Sequence, residues 1–142
     1  MKYIGIDPGQ SGGMVLLSDS GEVCQTAAFA KMTERDIFDT LHEWSEGACA
    51  CLESVHSMPR QGVASSFKFG TNYGFLRGVL TATGIQWKTA TPQQWQKELG
   101  CLTKGDKNIT KAAAQRRWPN TKWTHATADA ALIAEFCRRG TA

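Results

Sequence analysis

The sequence has no long apolar run, and this absence excludes a membrane-spanning helix, which needs about 18 or more consecutive apolar residues. The N-terminus enters an apolar strand pattern at once and leaves no room for a signal peptide. Repeats, linkers and low-complexity segments are also missing. We therefore expect one cytoplasmic domain that spans residues 1–142 and has no membrane partner.

The five cysteines lack the spacing of a zinc finger or of a redox motif. Because the number is odd and no secretion signal precedes it, we interpret all five as reduced thiols. Cys49 and Cys51 alternate within a short apolar run. Both should therefore point from the same face of one strand into the core.

Acidic residues are absent from residues 54–97, which carry five basic side chains. All nine acids of the first two-thirds of the chain precede this stretch, and the net charge is +3. A long basic segment of this kind suggests a polyanionic partner such as nucleic acid. The alternative is a solvated surface on which the charges have segregated by chance.

Three carboxylates stand where predicted elements would bring them together. Asp7 ends an apolar run before a Pro-Gly turn, Glu53 ends a second apolar run, and Asp129 lies in a late helical pattern. Acids at the ends of buried strands are costly to desolvate unless a positive group neutralises them. Two such acids facing a third on a helix are typical of a two-metal site that cleaves phosphodiesters.

The periodicity predicts an α/β fold with three successive strands followed by alternating helices and strands. Thr91 and Pro92 form a helix start, because threonine is a good N-cap and proline is tolerated at the first helical position. Strands are predicted at 2–7, 14–18, 22–29, 48–53 and 85–90, and helices at 33–44, 64–83, 92–99, 107–118 and 126–139.

This order resembles the ribonuclease H-like fold, a five-stranded mixed sheet whose first three strands are antiparallel, flanked by helices. The Ile6-Asp7-Pro8-Gly9 turn, the strand-ending Glu53 and the helix carrying Asp129 resemble the RuvC family of Holliday junction resolvases, especially its small bacteriophage and organellar branch. Similar residues of that family match, in order, Phe69, Gly70, Gly74, Gly78, Leu80, Thr91, Pro92, Trp95 and Lys107.

The resemblance implies a homodimeric endonuclease that resolves four-way DNA junctions by paired, symmetric cuts in a bacterial or phage-infected cell. It implies two Mg²⁺ ions per site, for which Mn²⁺ could substitute, held by Asp7, Glu53, His125 and Asp129. It also implies that Lys107 reaches the scissile phosphate. The alternative for Lys107 is an ordinary solvent-exposed lysine at a helix start.

His125 marks a departure from the family pattern. Many RuvC proteins carry two acids three residues apart in the last helix, and the earlier position here is Ala126. His125 lies one turn before Asp129 and could place an imidazole beside the same metal. Because neutral imidazole is softer than oxygen and a less usual partner for Mg²⁺, we expect Mn²⁺ to work as well as Mg²⁺ or better. The alternatives are that His125 caps the helix or hydrogen-bonds a phosphate.

The predicted helix over 64–83 carries Gly70, Gly74 and Gly78 on one stripe, which suggests that something packs very close to it. Either the protein's own sheet or a second subunit would fit. Phe67 is expected in the core, with stacking on an unpaired base as the alternative. The residues predicted to contact DNA are Arg60, Gln61, Ser65, Ser66, Phe67, Lys68, Lys104 and Lys111.

Other functions remain possible at this stage. A nuclease acting on flaps and forks would share the same features. A phosphotransferase of the actin and sugar-kinase type shares the fold and uses a strand-end Asp followed by glycines for nucleotide phosphate, but it generally needs a second domain and a second phosphate loop, which 142 residues do not hold. An inactive junction-binding protein would be expected to lack some of the three acids, and all are present.

Overall fold

A computed structural model of the protein describes residues 1–54 and 61–140. Every predicted strand and helix is present, and each end lies within one residue of its predicted position. No described helix combines the length and the apolar character that crossing a membrane requires. The elements are β1 (Lys2–Asp7), β2 (Gly13–Leu17), β3 (Val23–Ala28), a 3-10 turn (Phe29–Lys31), α1 (Glu34–Trp44), β4 (Ala48–Glu53), α2 (Val63–Ala82), β5 (Gln86–Ala90), α3 (Pro92–Glu98), α4 (Lys107–Arg117) and α5 (His125–Gly140).

The five strands form one mixed sheet in the order β3-β2-β1-β4-β5. β1 pairs antiparallel with β2, and β2 pairs antiparallel with β3. β4 runs parallel to both β1 and β5. The predicted mixed sheet is therefore confirmed, and the carboxyl ends of β1, β4 and β5 meet at one edge.

The sheet buries a core on each face, because its central strands alternate side chains between two helical layers. Ile4 and Ile6 of β1 point toward α1 and α2. Cys49 and Cys51 of β4 both point into the opposite core, beneath α5, as predicted. Buried on both sides, β1 and β4 are fixed in position, and so are the residues at their ends.

α5 lies unusually close to β1, and a glycine makes this approach possible. A Cβ atom at Gly5 would overlap the backbone of Ala130 and Ala134 in α5. Only a residue without a side chain fits at this crossing. The close contact carries the first turn of α5, with Asp129, to the same edge of the sheet as Asp7.

Candidate metal and nucleic-acid site

The three predicted carboxylates converge at the carboxyl edge of the sheet. Ile6 pairs with Leu52 in the parallel β1–β4 ladder, so Asp7 and Glu53 follow side by side. Asp129 approaches from α5. All three residues are partly buried, and each carboxylate has an electrostatic interaction with at least one of the others. We call Asp7, Glu53 and Asp129 the carboxylate cluster.

Burial and mutual repulsion raise the pKa values of the cluster. The pKa of Asp7 rises to about 7, mainly because the carboxyl is desolvated and then because Asp129 lies nearby. The pKa of Glu53 also rises to about 7, through burial first and the charge of Asp7 second. Burial likewise raises the pKa of Asp129. Without a cation, the cluster therefore holds protons near neutral pH.

Each carboxylate also receives one hydrogen bond that opposes this rise. The backbone N–H of Gly9 donates to Asp7, and the hydroxyl of Thr110 hydrogen-bonds Asp129. The indole Nε1–H of Trp95 donates to Oε2 of Glu53 at 2.7 Å. These donors stabilise the ionised form and limit how far each side chain can rotate.

Lys107 and His125 are the basic side chains next to the cluster. Both side chains are exposed, and both lower the pKa of Asp129. Lys107 also lowers the pKa of Asp7, so it lies near two of the three acids. The structure thus brings all five predicted catalytic residues into one neighbourhood.

Of the alternatives to metal binding by His125, capping of α5 is excluded. The side chain of Thr124 accepts the backbone N–H of Thr127 at 3.3 Å and so performs that role. The imidazole of His125 is left exposed at the first position of the helix, one turn before Asp129. It remains available for a metal or a phosphate.

The donor set matches hard divalent cations in chemistry and charge. Three acids lie near two basic side chains, and the carboxylate oxygens of the acids suit Mg²⁺ and Mn²⁺. Within residues 1–54 and 61–140, however, no three His, Cys, Asp or Glu side chains are arranged so that together they could hold one ion. Pairs of acids would therefore provide the protein ligands, with water or phosphate oxygens completing each shell.

The predicted DNA contacts on α2 are spread around the helix. Ser65, Ser66, Phe67 and Lys68 are consecutive in its first turns and so cannot all face one partner. Ser65 accepts a hydrogen bond from the side chain of Gln61 at 3.1 Å. Arg60, another predicted contact, lies outside the described residues.

Phe67 is not a core residue. Its side chain is 77 % exposed, so the expectation of burial is wrong. The sequence misleads here because α2 projects its first turns beyond the sheet, where no described element covers an aromatic ring. Val63, one turn earlier on the same side, is 88 % exposed.

The glycine stripe of α2 does not pack against the protein's own sheet. A Cβ atom at Gly70, Gly74 or Gly78 would meet no described atom within 4 Å. Of the two explanations left open by the sequence, contact with the sheet is therefore wrong. The stripe shares its exposed side with Val63 and Phe67 and forms a surface that we call the α2 face.

Two predicted basic contacts flank Lys107. Lys111 lies one turn further along α4, on the same side of the helix as Lys107. Lys104 precedes the helix and has a φ of 49°, in the left-handed region. Gly105 follows with a φ of 96°. This tight loop presents Lys104 to solvent next to the start of α4.

Comparison with known proteins identifies the fold. No protein-family model matches the chain, and no curated protein matches it either. Among solved structures, Thermus thermophilus RuvC superimposes with a TM-score of 0.71 at 17 % identity, over 99 % of this chain and 98 % of that one. The fold is that of RuvC. A second structure, T. thermophilus RuvC in complex with Holliday junction substrate, gives a TM-score of 0.67 at 17 % identity, over 100 % of this chain and 98 % of that one. The predicted ribonuclease H-like fold is confirmed.

Sequence reasoning placed Trp95 and Thr110 in their helices but gave neither a role at the cluster. Both are almost fully buried, at 0 % and 2 % exposure, and each contacts a different acid. The sequence does contain a signal that Thr110 lies near the cluster, because Thr110 follows Lys107 by three residues and so lies one turn along the same helix. For Trp95 no local pattern reports that its indole reaches a residue 42 positions earlier.

Proposed function

We propose that this protein is a metal-dependent endonuclease that resolves four-way DNA junctions. The observation that carries the proposal is the convergence of Asp7, Glu53 and Asp129 on a RuvC fold, in surroundings that raise their pKa values. A second support is that one structure with this fold is RuvC in complex with Holliday junction substrate. Acids held in this way fit a cation-binding role better than a purely structural one.

The proposed chemistry divides the work among the residues of the cluster. Asp7, Glu53, Asp129 and His125 would hold two Mg²⁺ or Mn²⁺ ions, with no more than two of these side chains on each ion and water or phosphate oxygens as the other ligands. Bound divalent ions supply an activated water and stabilisation of the leaving 3′ oxygen. Lys107 would orient the scissile phosphate, because its ammonium group lies near Asp7 and Asp129.

The proposed DNA surface surrounds this edge of the sheet. Lys104 and Lys111 lie on either side of Lys107, and Lys68 is exposed on α2. Contacts of this type bind phosphates without reading sequence, so selectivity for a branched substrate would come from its shape. Phe67 is positioned to stack on an unpaired base, since its ring is open to solvent.

The proposed homodimer would use the α2 face. Gly70, Gly74 and Gly78 leave room for the backbone of a second helix, and the exposed Val63 and Phe67 extend the apolar surface. A two-fold dimer would hold two clusters on one junction and allow both strands to be cut within one encounter. A monomer would have to dissociate and rebind between cuts.

Digestion of labelled four-way junction, replication fork, flap and duplex with Mg²⁺ or Mn²⁺ tests the function directly. We expect symmetric paired cuts in the junction and little cutting of duplex. Equal cutting of forks and flaps would instead favour a broader branched-DNA nuclease. Hydrolysis of ATP without any nuclease activity would contradict the proposal and favour a phosphotransferase.

The substitutions Asp7→Asn, Glu53→Gln and Asp129→Asn test the cluster itself. Each removes a charge but little volume, so we expect cutting to fall by about a thousandfold or more while junction binding persists. Binding can even tighten, because a carboxylate no longer repels phosphate. A variant that still cuts near the wild-type rate would remove its residue from the site.

A further inference from the structure

Trp95 is held in place by a short, rigid connection to the strand next to Glu53. Ala90 ends β5 and pairs with Glu53 in the parallel ladder. Thr91 and Gln94 then form a reciprocal capping box, in which each side chain accepts a hydrogen bond from the other residue's backbone. The first turn of α3 is therefore fixed relative to β4, and Trp95 follows directly from it.

The indole of Trp95 differs from the other hydrogen-bonded indoles in the group that accepts its hydrogen bond. Trp44 donates to the side-chain amide oxygen of Gln25, while Trp118 and Trp123 donate to backbone carbonyls. Trp95 donates at 2.7 Å to a carboxylate, although its ring is completely buried. Packing alone would be satisfied by phenylalanine, so the indole N–H has a separate purpose.

An indole N–H can donate a hydrogen bond but cannot accept one or take part in proton transfer. Its bond to Oε2 of Glu53 occupies one carboxylate oxygen from the buried side. Oε1 keeps both of its lone pairs for a cation, whereas Oε2 keeps one. Fixing a flexible glutamate in advance also removes rotamer entropy that metal binding would otherwise have to overcome.

We infer that Trp95 is a positioning residue that orients Glu53 for divalent-metal binding. This inference rests on the proposed function, because it assigns Trp95 a role at the proposed metal site. The role is indirect, since Trp95 acts through Glu53.

The test compares two buried tryptophans that lose the same atoms. Trp95→Phe and Trp44→Phe each remove one indole hydrogen bond, but Trp44 lies on the α1 side of the sheet. Mn²⁺ binding is measured by titration calorimetry without DNA. We expect Trp95→Phe to weaken Mn²⁺ binding about tenfold or more and Trp44→Phe to leave it unchanged. Equal losses in both variants would overturn the inference in favour of a general packing effect.

A double-mutant cycle with Glu53→Gln isolates the coupling between the two residues. If Trp95 acts through Glu53, then Trp95→Phe should have little further effect on Mn²⁺ binding once the carboxylate is gone. Full, independent losses in the double variant would contradict the inference.

A spectroscopic measurement covers the case in which Trp95→Phe does not fold. In the wild-type protein, the indole ¹⁵N–¹H resonance that shifts in Glu53→Gln should also shift on saturation with Mg²⁺. If Mg²⁺ binds and that resonance stays fixed, Trp95 does not sense the metal site and the inference fails.

The same titration distinguishes failure of this inference from failure of the proposed function. Asp7→Asn serves as the reference variant. Asp7 belongs to the carboxylate cluster, but the proposed role of Trp95 acts on Glu53 and not on Asp7. Wild-type Mn²⁺ binding that is unaffected by Asp7→Asn would refute the metal site itself. Binding that depends on Asp7 but not on Trp95 would refute only the role of Trp95.

Discussion

The two longest helices of this protein have opposite relations to its core. Nine of the 16 residues of α5 are buried, against three of the 20 residues of α2. Glycines lie beside α5, on the facing strand β1, and within α2, but for opposite reasons. Gly5 exists because the backbone of α5 presses on β1, whereas Gly70, Gly74 and Gly78 have no described neighbour within 4 Å. α5 is packed inside the fold, where it places Asp129, whereas the described residues leave the glycine side of α2 uncovered.

The largest expected effect comes from filling the β1–α5 contact. Gly5→Val would drive side-chain atoms into the backbone of Ala130 and Ala134. Because these atoms belong to a helix backbone, moving them costs a large amount of free energy. We expect a loss of more than about 4 kcal/mol in the free energy of unfolding, enough to unfold the protein. Circular dichroism and thermal unfolding would measure it.

Gly74→Ala is the matched control on α2. Its added Cβ meets no described atom within 4 Å, and alanine favours a helix over glycine by about 1 kcal/mol. We therefore expect the opposite sign, a small gain in stability. A large loss in this variant would mean that α2 is packed more tightly than the structure has it.

The sequence predicted the fold more completely than it predicted the site. Secondary structure followed because β1, β2 and β4 contain continuous apolar runs and the helices carry clear signals, such as Thr91 before Pro92. Asp7 and Glu53 could be placed together because parallel strands align their carboxyl ends. Each of these inferences needs only local pattern and general topology.

What the sequence could not predict depends on contacts between distant segments. The Trp95–Glu53 bond joins residues 42 apart, and nothing in the α3 pattern reports its target. The environment of Phe67 was predicted wrongly, because an apolar residue at helical spacing usually faces a core. Here the helix extends past the sheet, so the same spacing produces an exposed ring.

The second prediction concerns the α2 face as a subunit contact. Gly74→Leu should place a bulky side chain where a second α2 would approach, while no described atom of the monomer lies within 4 Å of the position that its Cβ would take. We expect dimerisation and paired cutting to be lost together and the far-UV spectrum to be retained. Sedimentation of the protein and a nicked-junction assay would report the two losses.

Two results would show that α2 does not form the dimer surface. One is a Gly74→Leu variant that still sediments as a dimer. The other is a wild-type protein that is monomeric even on junction DNA, which would remove the symmetric mechanism as well.

The third prediction concerns pH and tests whether the cluster weakens the α5 side of the fold. The folded pKa values of Asp7 and Glu53, each about 7, lie above the ordinary values of 3.8 and 4.5. At pH values between the ordinary and the folded pKa values, the folded state binds more protons than the unfolded state. The free energy of unfolding therefore falls as pH rises from about 4.5 to about 7. Metal-free protein should thus be less stable at pH 8 than at pH 5, by on the order of a few kcal/mol.

Hydrogen exchange at the two pH values would locate this effect. Protection of α5 amides should fall with rising pH, while α2 should change little. Asp7→Asn should flatten the dependence, and saturating Mg²⁺ should restore stability at high pH. A metal-free protein that gains stability between pH 5 and pH 8 would show that ionisation of the buried acids does not destabilise the fold.

The smallest expected effect concerns Phe67 and decides what the exposed start of α2 contacts. Because the ring is 77 % exposed, Phe67→Ala should change folding stability by no more than about 0.5 kcal/mol. If the ring stacks on an unpaired base, affinity for a four-way junction should fall about tenfold while affinity for duplex is retained. Val63→Ala is the control, since Val63 is even more exposed on the same side but offers no ring. If Phe67→Ala instead weakens the dimer and spares junction affinity per dimer, the ring belongs to the subunit contact and the DNA surface begins elsewhere, nearer to Lys104 and Lys111.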